Sequence, residues 1–410
     1  MNRRYDDGIC EEPGEGPRYF GGVTLITSLE VLVIPIPDDH LRVLVAAGGT
    51  GGHIFPALAV AEELMTRRQS YLAAGVRFQF LGTARGLETH LIERAGFPYR
   101  ALTAAGLKGI RGWRLLENAS LLPRTFLEAF RALRVFRPDV ALGLGGYVAG
   151  PVLLEAALMR IPTVLVEPNA APGFTNRALA PLVTRAAIAF EPTTRYFGAK
   201  ACLTGLPVRK AFFEVPHREH RPPFTILVFG GSQGSVPLNH CLMDSAPLLA
   251  GRPLRVIHQT GEREADEVRQ AYRQANVSAE VVAFIDHMPA AFACADLVVS
   301  RAGASTVGEL AAAGKAAVLV PFPGATDQHQ LGNARALERA GAARVLEQNL
   351  LTPQRLVRVI DDLLASPERL AGMEAAARSL ARPDAAGRIA DLIEELGERH
   401  RRRRKVNIVR

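Results

Sequence analysis

The chain has 410 residues, 48% apolar and 22% charged, with 37 glycines and 27 prolines; at about 100–200 residues per domain this fits two globular domains and excludes a fibrous or wholly disordered protein. Cys10, Cys202, Cys241 and Cys294 are scattered, with no C-x-x-C pair and no histidine at ligand spacing, which argues against a disulfide framework or structural zinc and fits a reducing compartment. The net charge is +8, much of it in Arg401-Arg402-Arg403-Arg404-Lys405; anionic lipid, phosphorylated substrates or nucleic acid suit a basic chain, and a solvated disordered tail is the plain reading of that run.

Residues 1–40 show no lasting periodicity and read as a poorly structured extension. The apolar run 23–37 is broken by Glu30 and is shorter than the roughly 20 residues a spanning helix needs. Acidic Asp6, Asp7, Glu11 and Glu12 precede it where a secretory signal carries basic residues. Neither a transmembrane helix nor a signal peptide is expected.

From Arg42 onward, apolar runs ending in glycine alternate with helical stretches, the pattern of a doubly wound parallel sheet. Strands are expected at 42–47, 77–81, 140–144, 163–166 and 186–190, with amphipathic helices at 56–68 and 123–136. Gly205-Leu206-Pro207-Val208-Arg209 and the polar, proline-bearing stretch 214–223 read as a linker. A second cycle then places strands at 225–229, 255–258, 280–284, 297–300, 317–320 and 344–346. The resulting α/β fold has two Rossmann-like doubly wound domains facing across a cleft, the GT-B architecture. Periodicity alone fits any two-domain α/β enzyme or binding protein equally well.

Three glycine clusters follow predicted strands: Gly48-Gly49-Thr50-Gly51-Gly52-His53, Gly143-Leu144-Gly145-Gly146-Tyr147 and Gly230-Gly231-Ser232-Gln233-Gly234. A strand, a glycine turn and a helix start aim free N–H groups at an anion, although any tight βα turn also favours glycine. None is a G-x-G-x-x-G or Walker A motif, which weakens the dehydrogenase and P-loop readings. His53, at the carboxyl edge of the first sheet, is the best histidine for general base catalysis, with a purely structural role as the alternative. Neither H-E-x-x-H nor Asp-x-Asp occurs, so metal-independent chemistry with no cofactor is expected. In the second half, Ser300 to Glu309 joins a strand to a helix. Glu309 reads as an exposed carboxylate near that helix's start, able to accept ribose hydroxyls, or as a surface residue favoured by the dipole. The loop Pro321 to Gln330, with Asn333, adds groups that hydrogen-bond sugar hydroxyls.

Together, GGTGGH-x-x-PA, GLGGYVAGP, GFTNRALA, GGSQG with Leu238-Asn239, FIDHM, SRAGAST-x-x-E and PFPGATDQHQ-x-x-NA resemble the MurG family, from about Arg42 to Glu398. The resemblance implies a hexosyltransferase that moves N-acetylglucosamine, with inversion, from UDP-GlcNAc to the muramoyl 4-hydroxyl of undecaprenyl-diphospho-MurNAc-pentapeptide (lipid I) in peptidoglycan synthesis. A GT-B enzyme acting on another lipid acceptor, such as diacylglycerol, is the near alternative. Two readings from other classes are a nucleotide-cofactor oxidoreductase and a lipid-phosphate binding protein without catalysis.

The resemblance also implies domains at 41–206 (acceptor side) and 207–383 (donor side), a helix at about 384–399 packing back on the first, and a basic tail at 400–410. It places Thr50, Gly51, Gly52 and Asn169 on the cleft side of the first domain. Arg209, Ser232, Ile285, Ala304, Ser305, Thr306, Val307, Gly308, Glu309 and Gln330 are implied donor contacts, with the Ile285 backbone at uracil and Glu309 at ribose. Implied partners are lipid I, an anionic cytoplasmic membrane surface met peripherally, and other cell-wall and division proteins, with no nucleic acid. Ile110, Trp113 and Leu116, among Lys108, Arg111 and Arg114, are the expected membrane contacts. Val166-Glu167-Pro168-Asn169 departs from the family's His-Glu-Gln-Asn, and Gly205-Leu206-Pro207 from its Gly-Asn-Pro; Pro168 removes an N–H and changes the loop.

Overall fold

The computed structural model describes residues 40–48, 51–69, 75–83, 87–104 and 120–409. The first parallel sheet comprises β1 (Leu41–Ala46), β2 (Val76–Thr83), β3 (Tyr99–Leu102), β4 (Val140–Gly143), β5 (Thr163–Glu167), β6 (Arg185–Ile188) and β7 (Ala201–Leu203). Its helices are α1 (Gly51–Gln69), α2 (Leu87–Arg94), α3 (Leu122–Phe136), α4 (Gly146–Leu158), α5 (Phe174–Leu179) and α6 (Thr194–Phe197). After α7 (Lys210–Phe213), the second parallel sheet uses β8 (Phe224–Phe229), β9 (Leu254–Gln259), β10 (Ser278–Val282), β11 (Leu297–Ser300), β12 (Ala317–Leu319) and β13 (Ala343–Val345). With it go α8 (Val236–Leu249), α9 (Ala265–Gln274), α10 (Met288–Cys294), α11 (Ala304–Ala313) and α12 (His329–Arg339), followed by α13 (Pro353–Leu364), α14 (Pro367–Ser379) and α15 (Ala385–Val409).

The strand orders are β3-β2-β1-β4-β5-β6-β7 and β10-β9-β8-β11-β12-β13. Each reverses direction once, between β1 and β4 and between β8 and β11. Ligands of such sheets bind outside the carboxyl ends of the strands at the reversal. The three glycine clusters and the Ser300–Glu309 segment are the loops that leave these four strands.

Buried strand residues explain the sheets: Val43, Val45, Val140, Leu142 and Val164 pack on one side of the first sheet, Leu44, Ala46, Ala141 and Leu165 on the other. Both faces are covered, so these strands read as continuous apolar runs. The edge strands β3 and β7 are absent from the sequence expectation because Arg100, Ala101 and Leu203 face solvent and no such run marks them. The expected strand 280–284 lies at Ser278–Val282, and Phe284 is an exposed loop residue. Helix α1 begins five residues before Pro56, which stands in its second turn; the proline marks a helix start in sequence, yet here it forgoes only one early backbone bond.

The connector 214–223 is anchored, where the sequence suggested a linker. His220 Nδ1 lies 3.0 Å from Asp296 Oδ1, and the Arg218 Nε donates to the same oxygen at 3.2 Å. The Thr225 amide donates to Asp296 Oδ2 at 2.7 Å. Helix α15 returns to the first sheet, burying Ile389, Ala390, Ile393 and Leu396 beside α1. Arg67 of α1 bonds Asp391, Glu394 and the Gly387 carbonyl. The helix continues through Arg401–Lys405, so this run is not the solvated disordered tail its composition suggests; Glu395–Arg399 and Glu398–Arg402 pairs four residues apart support it.

Candidate active site

At the first reversal, His53 lies in the opening turn of α1 with Nδ1 3.1 Å from the Gly48 carbonyl. A proton on Nδ1 donated to that carbonyl leaves Nε2 as the basic nitrogen. The β4–α4 loop closes on this turn: a Cβ at Gly145 would lie 3.0 Å from His53 Nε2, and one at Gly146 would sit 2.2 Å from the Gly48 oxygen. Only glycine fits there, with φ of 99° and 79°. Gly51 and Gly52 open the same helix, whereas Thr50, Ile110, Trp113 and Leu116 lie outside the described residues.

Glu167 ends β5 with no exposure and holds the next loop in place. Its Oε1 accepts the Asn169 main-chain N–H at 2.9 Å and the Asn169 Nδ2 at 3.1 Å, and its Oε2 accepts the Asn176 Nδ2 at 2.7 Å. Burial, opposed by these donors, raises its pKa to about 7. Pro168 has no N–H to offer, but the Glu167 side chain reaches past it to the next amide, so the loop closes without one.

At the second reversal, α11 starts at Gly303 with no side-chain cap. Its first helical bond is from the Val307 N–H to the Gly303 carbonyl, so the Ala304, Ser305 and Thr306 N–H groups make no intrahelical bond and present the positive dipole end. The buried Ser305 hydroxyl also has no partner among the described residues. Ser232 is exposed on the neighbouring glycine loop. Ile285 lies between β10 and α10, and its main-chain groups make no backbone hydrogen bond among the described residues.

Glu309 departs from expectation: its side chain is only 14% exposed, and burial raises its pKa to about 7 against the opposing Arg209 charge. Leu206 and Val208 pack closely on the adjacent Gly308. Arg209 Nη2 stands 3.5 Å from Glu309 Oε1, while its guanidinium lies over Phe55 of α1 at 4.7 Å and Phe212 at 5.0 Å. Donor-side and first-sheet elements therefore meet at this arginine.

Sequence reading passed over Arg301 and took Asn333 as a contact for sugar hydroxyls, whereas Asn333 is fully buried. Arg301, 7% exposed, donates to Ser235 Oγ, the Val320 carbonyl and Gln348 Oε1, with no carboxylate among its partners. Burial lowers its pKa to about 10, so a cation persists at neutral pH beneath the β8–α8 and β11–α11 loops. Asn333, fully buried on α12, bonds the Asn169–Ala170 loop and the Ala302 carbonyl. Gln330 Oε1 accepts the Ala302 and Phe322 amides. An acidic residue closing an apolar strand was the one sequence signal for Glu167; Arg301 and Asn333 find partners far along the chain, which local pattern does not reveal.

Two doubly wound parallel sheets, with the motif loops leaving the strands at both reversals, are the architecture of the GT-B class. Residues 43–188 match the glycosyltransferase family 28 N-terminal domain and residues 225–389 its C-terminal domain. A UDP-N-acetylglucosamine--N-acetylmuramyl-(pentapeptide) pyrophosphoryl-undecaprenol N-acetylglucosamine transferase of Solibacter usitatus is 44% identical over 364 residues, covering 88% of this chain and 98% of that protein. The identically named protein of Anaeromyxobacter dehalogenans (strain 2CP-1) is 46% identical over 365 residues, 88% and 94% of the two chains. The crystal structure of Acinetobacter baumannii MurG superposes with a TM-score of 0.70 at 34% identity, over 87% of this chain and 99% of that one. The chain belongs to the MurG family.

Proposed function

We propose that this chain transfers N-acetylglucosamine from UDP-GlcNAc to the muramoyl 4-hydroxyl of lipid I, with inversion at the anomeric carbon. The observation that carries this reading is the uncapped start of α11 beside buried Glu309 and Arg209, opposite the turn that bears His53. In this reading Glu309 accepts the ribose hydroxyls, the Ile285 main chain meets uracil, and Ser232, Gln330 and residues 304–308 hold the diphosphate and sugar. Thr50, Gly51 and Gly52 face the acceptor phosphates, with Asn169 at the border of that side.

His53 Nε2 takes the proton of the attacking hydroxyl. Negative charge then grows on the leaving UDP, where N–H groups at a helix start, fixed beforehand, stabilise it as it develops. Arg301 adds a buried positive charge below. The domain boundary at 206/207 belongs to the same proposal, because the donor-contacting Arg209 follows it directly.

The acceptor is lipid-anchored, so the enzyme works at the cytoplasmic face of the membrane as a peripheral protein. No described helix is long and apolar enough to cross a bilayer. The outer side of α3 supports surface contact: Leu127, Phe130 and Val135 are exposed among exposed Arg131, Arg134 and Arg137.

Incubation with UDP-GlcNAc and synthetic lipid I tests the reading, with UDP release and product mass measured together. A product heavier by one N-acetylhexosamine is expected. UDP release only with diacylglycerol, and none with lipid I, overturns the acceptor assignment.

A further inference from the structure

The side-chain amide of Asn169 makes two hydrogen bonds, one from each end. Its Nδ2 donates to Glu167 Oε1 at 3.1 Å, and its Oδ1 accepts from Asn333 Nδ2 at 3.1 Å. Asn333 returns a second bond, its Oδ1 accepting the Ala170 amide at 2.9 Å, and its Nδ2 also donates to the Ala302 carbonyl at 3.2 Å. Thr193 Oγ1 lies 3.2 Å from both the Asn169 and Ala170 carbonyls and holds their backbone from below. Ala302 stands two residues before α11, the helix whose open start faces the donor diphosphate in the reading above.

A hydrogen-bonded path thus runs from the end of β5, through Glu167, Asn169 and Asn333, to the loop that opens α11. Asn333 suits the junction because one carboxamide both donates twice and accepts. Loss of the Asn169–Asn333 contact leaves the buried Glu167 loop without its tie and the Asn333 amide half satisfied, the costly state for a buried polar network.

We propose that Asn169 and Asn333 are a coupling pair that ties the first-sheet loop 167–170 to the donor loop 301–304. When nucleotide orders the start of α11, Ala302 and Asn333 carry the Asn169–Ala170 segment with them, so donor occupancy sets the acceptor side of the cleft. This inference rests on the proposed transfer reaction for its kinetic consequence and on the geometry alone for its mechanical one. The test has a separate arm for each.

The mechanical arm needs no acceptor. Hydrogen–deuterium exchange at the Ala170 amide is followed with and without UDP in the full chain and in Asn333→Asp, a variant of nearly equal shape that presents an acceptor to two acceptors. UDP should slow exchange at Ala170 by about tenfold in wild type, within the range of coupling between contacting groups, and leave it unchanged in Asn333→Asp. Equal slowing in both proteins, or none in wild type, overturns the coupling.

The kinetic arm is a cycle of Asn169→Ala, Asn333→Ala and the double variant, with thermal melts to confirm folding. The singles should lower kcat by similar factors of about ten with lipid I KM little changed, and the double should lose no more than the worse single. An Asn169→Ala effect on kcat that is the same in wild-type and Asn333→Ala backgrounds shows that the two residues act independently and overturns the proposal. If wild type binds UDP but never turns over lipid I, the transfer reading has failed while the exchange result still decides the coupling.

Discussion

Glu309 shows why a residue's environment matters as much as its place in a motif. Its position after a strand and a glycine turn was legible in sequence, but its burial was not, because its partner Arg209, and Leu206 and Val208 packed on the adjacent Gly308, lie about a hundred positions away. With a pKa raised to about 7 by burial, the ionised form that accepts ribose hydroxyls best is complete only above neutrality. UDP-GlcNAc affinity should therefore rise with pH through about 7 in wild type and stay flat in Glu309→Gln, as read by calorimetry from pH 6 to 8.5. Glu309→Ala should weaken donor binding at least tenfold at pH 8, since a hydrogen bond to a charged group is worth roughly 1.5–3 kcal/mol. The stability sign is the opposite. Because the folded pKa lies above the ordinary 4.5, ionisation costs stability as pH rises from about 4.5 to 7, and wild type should lose melting temperature relative to Glu309→Gln across that window. A second residue-scale expectation concerns His53: His53→Ala should lower kcat strongly while UDP affinity stays nearly intact, and EDTA should leave wild-type turnover unchanged. Loss of UDP binding in the variant speaks against a role confined to the transition state, and magnesium-dependent recovery after EDTA speaks against metal-free chemistry.

Among elements, those buried on both faces were legible and those defined by distant partners were not. The strand Leu297–Ser300 coincides with its sequence expectation because its four residues form an unbroken apolar run closed by serine. The connector 214–223 looked like a linker because its residues are polar and proline-rich, yet His220 is only 3% exposed, between Asp296 and Glu374. The hydrogen bond to Asp296, and then the Glu374 carboxylate 3.6 Å from Nε2, raise the His220 pKa to about 9, against burial. A histidine raised from the ordinary 6.5 contributes stability that is fully present below about 6.5 and is lost as pH rises through about 9. Denaturant midpoints of wild type and His220→Gln should thus differ most near pH 6 and converge by pH 10. A constant gap over that range implies that the imidazole contributes shape alone, with no charge.

At the scale of the whole molecule, two successive α/β cycles were legible from alternating apolar runs and glycine turns, and the reversal of strand order then put the motif loops at the carboxyl edges of both sheets. The membrane contacts expected from sequence, Ile110, Trp113 and Leu116, lie outside the described residues. Helix α3, which follows that segment, turns Thr125, Ala129, Ala132 and Leu133 inward while Leu127, Phe130 and Val135 stay exposed. It is therefore both an ordinary packing helix and the bearer of an outer apolar strip, with the Arg134 guanidinium 5.9 Å from the Phe130 ring. Apolar side chains among cations suit a bilayer interface, where each arginine or lysine near anionic headgroups contributes about 1 kcal/mol, screened by salt. Two variants separate the contributions: Leu127→Ser/Phe130→Ser on the outer strip of α3, and Ile110→Ser/Trp113→Ser/Leu116→Ser in the segment before it. In co-sedimentation with vesicles of phosphatidylglycerol and phosphatidylcholine, wild type should bind more as the anionic fraction rises and less as salt rises. Each variant should bind at least several-fold more weakly, with UDP affinity preserved. If both sediment as wild type does, the contact lies elsewhere, and the cationic run Arg401–Lys405 in the last turns of α15 is the next surface to neutralise.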